Sequence, residues 1–268
     1  MAKNLIQQVM MKSEKKEDKR SDKAKNFDSD ALIKMIQTGY LEETKTKYQK
    51  KKTFAPSTLT YNHGECARYW YLAFEGGEFE DDSDAYGVAN RNSGTLSHGR
   101  IEKAMKDAGI LINSEFDVKF DNPPIFGRGD VILNWNNEVL LGEIKTMPNE
   151  GFEYRKLHQK GKTGHIEQLL IYMKILEQDF AVLIYENKNN HELLIIPVEM
   201  DETNRKWVDY SFGWMGIVRK SWEDRELPKK NYRSNSKICK ACPLAKMCNE
   251  AGVGSVKIES LEELSEAM

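Results

Sequence analysis

Along the chain, apolar and polar positions change period several times, and each change predicts an element. Between Ser114 and Asp121, Phe116, Val118 and Phe120 alternate with Glu115, Asp117 and Lys119, the period of two that marks a strand. Pro123-Pro124 interrupts it. Two apolar runs then lie within GRGDVILNWNNEVLLGEIKT, Gly127 to Thr146. They meet at Asn136-Asn137, and asparagine tolerates the positive φ of a tight turn, so a hairpin with Trp135 facing Glu138 is expected. HIEQLLIYMKILEQ has helical spacing, with Ile166, Leu169, Leu170, Met173 and Leu176 on its apolar face. DFAVLIYEN and ELLIIPVEM predict two strands joined through Lys188 to His191. Asn204 to Asp224 predicts a further helix, with Trp207, Ser211, Trp214 or Met215, Val218 and Trp222 inward and Pro228 beyond its end.

The earlier half of the chain is less regular. A helix is expected from Pro56-Ser57 through LTYNHGECARYWYLAFEG, burying Leu59, Cys66, Tyr69, Trp70, Leu72 and Phe74. Glu75 to Asp84 is acidic and reads as an exposed loop. GTLSHGRIEKAMKDAG predicts an amphipathic helix ending at Gly109, with Leu96, Ile101, Met105 and Ala108 packed and His98 and Glu102 one turn apart. MPNEGFEYRKLHQKGKTG reads as a polar connector that gathers Arg155, Lys156, Lys160 and Lys162, either facing phosphate or solvated. The order helix, strand, hairpin, helix, strands gives an α/β class, a central mixed β-sheet flanked by helices.

Composition narrows the function classes. Of 268 residues 31% are charged, yet the net charge is only -2, which excludes a uniformly basic nucleic-acid coat and makes any such surface local. No run approaches the roughly 18 apolar residues of a membrane span and no signal peptide is evident, so a cytoplasmic protein without membrane partners is expected. Three regions are delimited: a lysine-rich extension at 1–53, mostly mobile but with a helical patch from Ala31 to Ile36 behind Asp28, Ser29 and Asp30; a domain at 54–250; and an acidic tail at 251–268.

Two constellations carry chemistry. Counting outward from Asn136-Asn137 sets Asp130 opposite Glu143, with Cβ atoms roughly 5 Å apart. Such carboxylates repel unless a cation lies between them or one keeps its proton, so the pair reads as a divalent-metal site. Lys145 projects from the same face as Glu143, and an acid pair with an ammonium suits an attacking water and a phosphate. The same register opposes Arg128 and Lys145, a like-charge contact that a bulge at Gly127 or Gly129 would relieve. The second constellation is Cys239-x2-Cys242-x5-Cys248 together with Cys66, which are all the cysteines of the chain. One metal group held by all four would clip the start of the domain to its end. Zinc and an iron-sulfur cluster both take four thiolates, and the one-plus-three split leans towards the cluster.

With these residues assembled, the chain resembles the PD-(D/E)XK nuclease superfamily, specifically its RecB-like iron-sulfur branch, which includes CRISPR-associated spacer-trimming nucleases and the AddB nuclease domain. The resemblance rests on Asp130, Glu143-Ile144-Lys145, His98, Gln168-x3-Tyr172 and the four cysteines, from about Ser57 to Asn249. Gly129 stands where the family name has Pro. The resemblance implies a restriction-endonuclease-like core, with Mg²⁺ or Mn²⁺ on Asp130, Glu143, the Ile144 carbonyl and His98. Lys145 would orient water or offset charge on the scissile phosphate, Gln168 and Tyr172 would support the site and contact nucleic acid, and the cysteines would hold a [4Fe-4S] cluster, with structural Zn²⁺ as the alternative. The activity implied is a DNA exonuclease acting on single strands or ends. The sequence has no GxxxxGK[ST] phosphate loop, so a helicase, recombinase or integrase partner is expected to supply any motor or strand exchange, and a homo-oligomer is a further expectation. A trimming nuclease inside a fragment-integrating complex and a non-catalytic, cluster-stabilised DNA-binding module remain alternatives.

Overall fold

The computed structural model describes residues 21–42, 50–79 and 84–266. In chain order these form α1 (Asp22–Lys25), α2 (Ser29–Glu42), α3 (Pro56–Leu59), α4 (Ala67–Glu75), α5 (Ala85–Asp107), β1 (Leu111–Phe120), β2 (Ile125–Trp135), β3 (Glu138–Met147), α6 (Asn149–His158), α7 (Thr163–Ile175), β4 (Phe180–Asn187), β5 (Leu193–Glu199), α8 (Glu202–Glu223), α9 (Lys237–Lys240), α10 (Ala245–Glu250) and α11 (Leu261–Glu266). The strands make one sheet in the order β1-β2-β3-β4-β5. All neighbours are antiparallel except β3 and β4, which run parallel. Parallel neighbours need a crossover, and α6 and α7 supply it. The expected α/β class and mixed sheet are therefore present.

Alternation along the strands feeds two cores. On one face Val131, Leu133, Ile144, Val182 and Ile184 pack with Ile101 of α5. On the other, Leu141, Leu183, Tyr185, Ile196 and Val198 pack with Leu169, Leu170 and Met173 of α7 and Val208 of α8. A third core lies to one side, where Phe54, Leu59 and the aromatics of α4 meet Trp214, Met215 and Val218 of α8 and Leu244, Ile258 and Leu261 from the end of the chain. Each fully buried side chain of this size contributes about 1.5–3 kcal/mol. The tail at 251–268 packs through Ile258, Ser260 and Leu261, and Trp214 Nε1 donates to the Glu259 carbonyl at 2.9 Å.

Several elements depart from the sequence pattern. The helix expected from Pro56 is broken into α3, a 3₁₀ turn at Asn62–Glu65 and α4. A Cβ on Gly64 would lie 1.7 Å from the Thr58 carbonyl oxygen, so the chain doubles back on α3 at a distance only glycine permits. The helix expected from Gly94 begins instead at Ala85, capped by Asp84 accepting from the Gly87 N–H. Of its expected packing positions Ile101 is buried, whereas Leu96 and Ala108 are exposed.

The polar connector after β3 is the helix α6, anchored by the fully buried Phe152. Arg155, Lys156 and His158 occupy its last turn, where positive charge suits the carbonyl end of a helix. Helix α2 starts as expected, with Asp28 Oδ1 accepting from the Ala31 N–H at 2.8 Å. Residues 1–20 and 43–49 of the expected extension, and 80–83 of the expected acidic loop, lie outside the described residues. Among the described residues no helix is long and apolar enough to cross a membrane.

Candidate active site

The hairpin turns at Asn136 and Asn137, with φ of 55° and 67°. From there the register runs as expected, Trp135↔Glu138 out to Val131↔Gly142. One step further the two strands part. Instead of continuing the ladder, Asp130 Oδ2 accepts the Ile144 N–H at 2.7 Å. Beyond that point β2 pairs with β1, as in Phe116↔Gly129 and Asp117↔Arg128, while β3 pairs with β4, as in Glu143↔Leu183 and Lys145↔Tyr185. The expected opposition of Arg128 and Lys145 therefore does not occur, and no bulge relieves it. Arg128 reaches instead to Glu115, Nη1 to Oε2 at 3.2 Å. The two glycines make room rather than bulges: a Cβ on Gly129 would meet the Phe116 ring at 2.3 Å, and one on Gly127 the Tyr172 hydroxyl at 2.6 Å.

The parting strands leave a notch floored by two acids. Glu143 is 1% exposed and Asp130 8%. Glu143 Oε1 accepts from Lys145 Nζ and from Gln168 Nε2, both at 2.6 Å, whereas its Oε2 is buried with no partner. His98, on α5, lies with Nδ1 3.7 Å from Asp130 Oδ1. Gln168 Nε2 also reaches the Tyr172 hydroxyl at 3.4 Å, and that hydroxyl donates to the Arg128 carbonyl at 3.2 Å. Burial pushes both carboxyls up; Lys145 opposes this at each, His98 at Asp130, and for Glu143 the charge of Asp130 adds to the rise. Burial, with Glu143 nearby, also pushes the Tyr172 phenol up and keeps it a neutral donor.

His98, Asp130, Glu143, Ile144, Lys145, Gln168 and Tyr172 thus form one contiguous network drawn from α5, β2, β3 and α7. The four basic residues do not form a comparable group. Arg155 donates to the Gly161 carbonyl and stacks over Tyr154, Lys156 pairs with Glu192, and Lys160 and Lys162 are exposed between α6 and α7. Two residues of the surroundings were missed from sequence. His165 bonds the Tyr185 hydroxyl at 3.0 Å, and burial with Lys145 nearby pushes it down to about 3. Glu115 belongs with His98 and Asp130: one ligand atom from each lies within 4.8 Å of the others.

The four cysteines are brought to one small cavity, lined also by His63, Tyr69 and Tyr232. Cys66 caps the start of α4, while Cys239 and Cys248 lie in α9 and α10 and Cys242 between them. Their sulfurs are not tightly gathered: among the described residues the set of three metal-ligand atoms within 4.8 Å of one another is His98, Glu115 and Asp130, with no cysteine in it. Burial pushes the Cys66 thiol up to about 11 and that of Cys242 up to about 12, and the other cysteines add to both. Arg68, also missed from sequence, is fully buried beside them. Its Nε donates to Cys248 Sγ at 3.2 Å, and its Nη groups donate to the carbonyls of Pro228, Cys248, Gly252 and Val253.

No family model matches the sequence, and no curated protein matches it. Solved structures resemble it distantly. One is the protein SSO0001, 17% identical, with 82% of this chain and 97% of that one covered at a TM-score of 0.43. Another is the alkaline exonuclease LHK-Exo from Laribacter hongkongensis, 12% identical, with 50% of this chain and 71% of that one covered at 0.42. In its complex with dAMP the figures are 11% identity, 65% and 89% coverage, and a TM-score of 0.47. Likeness this distant says nothing about chemistry, which the side-chain geometry alone must carry.

Proposed function

We propose that the protein is a metal-dependent nuclease that hydrolyses phosphodiester bonds, acting on DNA single strands or ends as an exonuclease. The observation that carries this reading is the pair of buried acids at the notch, one with an unpartnered oxygen and both beside Lys145. Uncompensated buried carboxylates are unfavourable, and their donor set is that of a hard divalent cation. Asp130, Glu143, His98 and the Ile144 carbonyl would hold Mg²⁺ or Mn²⁺, which supplies an activated water and offsets charge on the phosphate. Lys145, fixed by Glu143, presents an ammonium to the nucleophile or to a phosphate oxygen. Gln168 holds Glu143 from the helix side, and Tyr172 ties that helix to β2. DNA as the substrate comes from the family resemblance.

End-labelled single- and double-stranded DNA incubated with Mn²⁺ tests the reading. Wild-type protein is expected to shorten one of them, and Asp130→Ala and Lys145→Ala to lower the rate by about 10²–10⁴. Equal degradation by all three proteins would remove the notch from the chemistry.

The same proposal gives the cysteines a [4Fe-4S] cluster. Four thiols around one cavity, two of them held neutral by burial and a third bonded by a guanidinium, are a suitable donor set once deprotonated. Tetrahedral zinc is the alternative, since it too takes four thiolates, and the split of Cys66 from Cys239, Cys242 and Cys248 leans towards the cluster. Protein purified without oxygen is expected to be brown and to contain iron and sulfide in near-equal amounts; zinc in their place would keep the clip and remove the cluster.

A further inference from the structure

The face of the sheet that α5 lies on is only half covered. Alternation puts Phe180, Leu193, Ile195 and Pro197 on the same side as Val182 and Ile184, which pack with Ile101 of α5. Yet Phe180, Leu193 and Ile195 are each about half exposed, and Pro197 is exposed as well. Layered α/β folds bury such a face under a helix, and β5 with the start of β4 has none here. Pro197 removes a donor from the exposed edge of β5, which disfavours a further strand in that place. Helix α2 has the complementary shape. None of its residues is buried. Gln37 is its half-buried position and donates to the Tyr86 hydroxyl of α5 at 2.9 Å. At helical spacing Leu32, Met35 and Ile36 turn away from that contact, and among the described residues nothing covers them.

Three pairings between copies would hide these surfaces: helix on helix, face on face, or the helix of each copy on the face of the other. Area favours the last. A standard interface buries about 800 Å² per partner, about 60% of it apolar, so it needs about 500 Å² of apolar surface from each copy. Leu32, Ile33, Met35 and Ile36 of α2 expose the equivalent of about two whole large side chains, roughly 300 Å², and the sheet patch exposes about as much. Either alone falls short, and the two together suffice. Length agrees: α2, with 14 residues, is about 21 Å long, and β5, with 7, is about 23 Å. We infer that the protein forms a two-fold dimer in which α2 of each copy lies along β4 and β5 of the other. Such a reciprocal exchange closes on itself and leaves no open end for further copies. Because α2 also rests on α5, which carries His98, the exchange ties the notch of one copy to the sheet of the other. The dimer does not depend on the nuclease reading.

Analytical ultracentrifugation of the full chain at micromolar concentration tests the exchange, using wild type, Ile36→Lys and Ile195→Glu. Each substitution falls near the centre of its element on a half-exposed side chain, so each variant stays folded, and cooperative melting checks that. Wild type is expected to sediment as a dimer, and each variant alone to pair about a hundredfold more weakly, as loss of a central apolar anchor does. An equimolar mixture of the two variants is expected to recover the dimer. In that pair one helix-on-face contact is intact and the other sets a lysine against a glutamate. A monomeric wild type would overturn the inference. So would a dimer lost in only one of the variants, which would mean helix on helix or face on face, and so would a mixture that stays monomeric.

Discussion

The acid notch and the thiol cavity both bury groups whose charged forms water would otherwise stabilise, and they manage this in opposite ways. At the notch the protein itself offsets part of the charge, leaving Glu143 Oε2 without a partner. Asp130 takes a backbone N–H, Glu143 takes Lys145 and Gln168, and His98 stands beside them, all on elements that belong to the sheet and the helices covering it. At the cavity there is no comparable offset. Two of its thiols are held neutral by burial, and the buried cation beside them, Arg68, spends most of its donors on carbonyls. What holds that region is the third core, where the two ends of the domain meet. On the proposed reading the difference separates two kinds of dependence: the notch would stand without a cation and need one for chemistry, whereas the cavity would gain from a ligand the cross-link that the third core alone does not supply.

The most severe test of that contrast sets Cys66→Ser against Asp130→Asn. Closing the chain from Cys66 to Cys248 is worth about 5 kcal/mol in loop entropy, so Cys66→Ser is expected to lower Tm by about 10–20 °C and to bleach the protein. Asp130→Asn is expected to abolish cleavage with Tm within about 2 °C of wild type. A Cys66→Ser protein melting with wild type would erase the distinction. A smaller effect is expected at the support of the notch. Tyr172→Phe removes the donor to the Arg128 carbonyl, about 1 kcal/mol, and should lower Tm by about 2–4 °C while cleavage falls less than tenfold; a full loss of cleavage would make Tyr172 a participant rather than a brace.

The smallest effect is a pH dependence on α7, where Glu167 adjoins Gln168 and shares its surroundings with Glu262. Burial first, then Glu262, pushes the Glu167 carboxyl from 4.5 up to about 7. The folded state therefore binds more protons than the unfolded one between these values, so this contribution to stability is present at low pH and is lost as pH rises to 7. Glu167→Gln should raise Tm by a few degrees at pH 8 and change it little at pH 4.5. An equal change at both would mean that the carboxyl does not titrate in this window.

The notch was legible in sequence because a two-residue asparagine turn dictates register, and Asp130, Glu143 and Lys145 follow by counting. The helix carrying Gln168 and Tyr172 was equally plain from its spacing. What could not be counted was where β2 and β3 separate, since β1 and β4 flank the two strands on both sides of that point and no local pattern marks it. Glu115 was hidden for a related reason: strict alternation makes it an outward residue, and only its left-handed backbone turns it to the site. Arg68 lay within an aromatic run, and its acceptors are supplied from Pro228 to Val253, far beyond any local pattern. In α6, one buried Phe152 among charged residues was too faint a periodicity to outweigh a loop-like composition.

The sheet order that equals the chain order has a consequence for how the protein is made. Strands that pair with the next to emerge can associate early, so the acid pair of β2 and β3 can form while the last part of the chain is still unsynthesised. The cavity cannot. At usual elongation speeds Cys248 leaves the ribosome about ten to forty seconds after Cys66, and Arg68 waits equally long for its carbonyls. A ligand taken by all four thiols would therefore have to wait for Cys248, well after the acids of the notch have met.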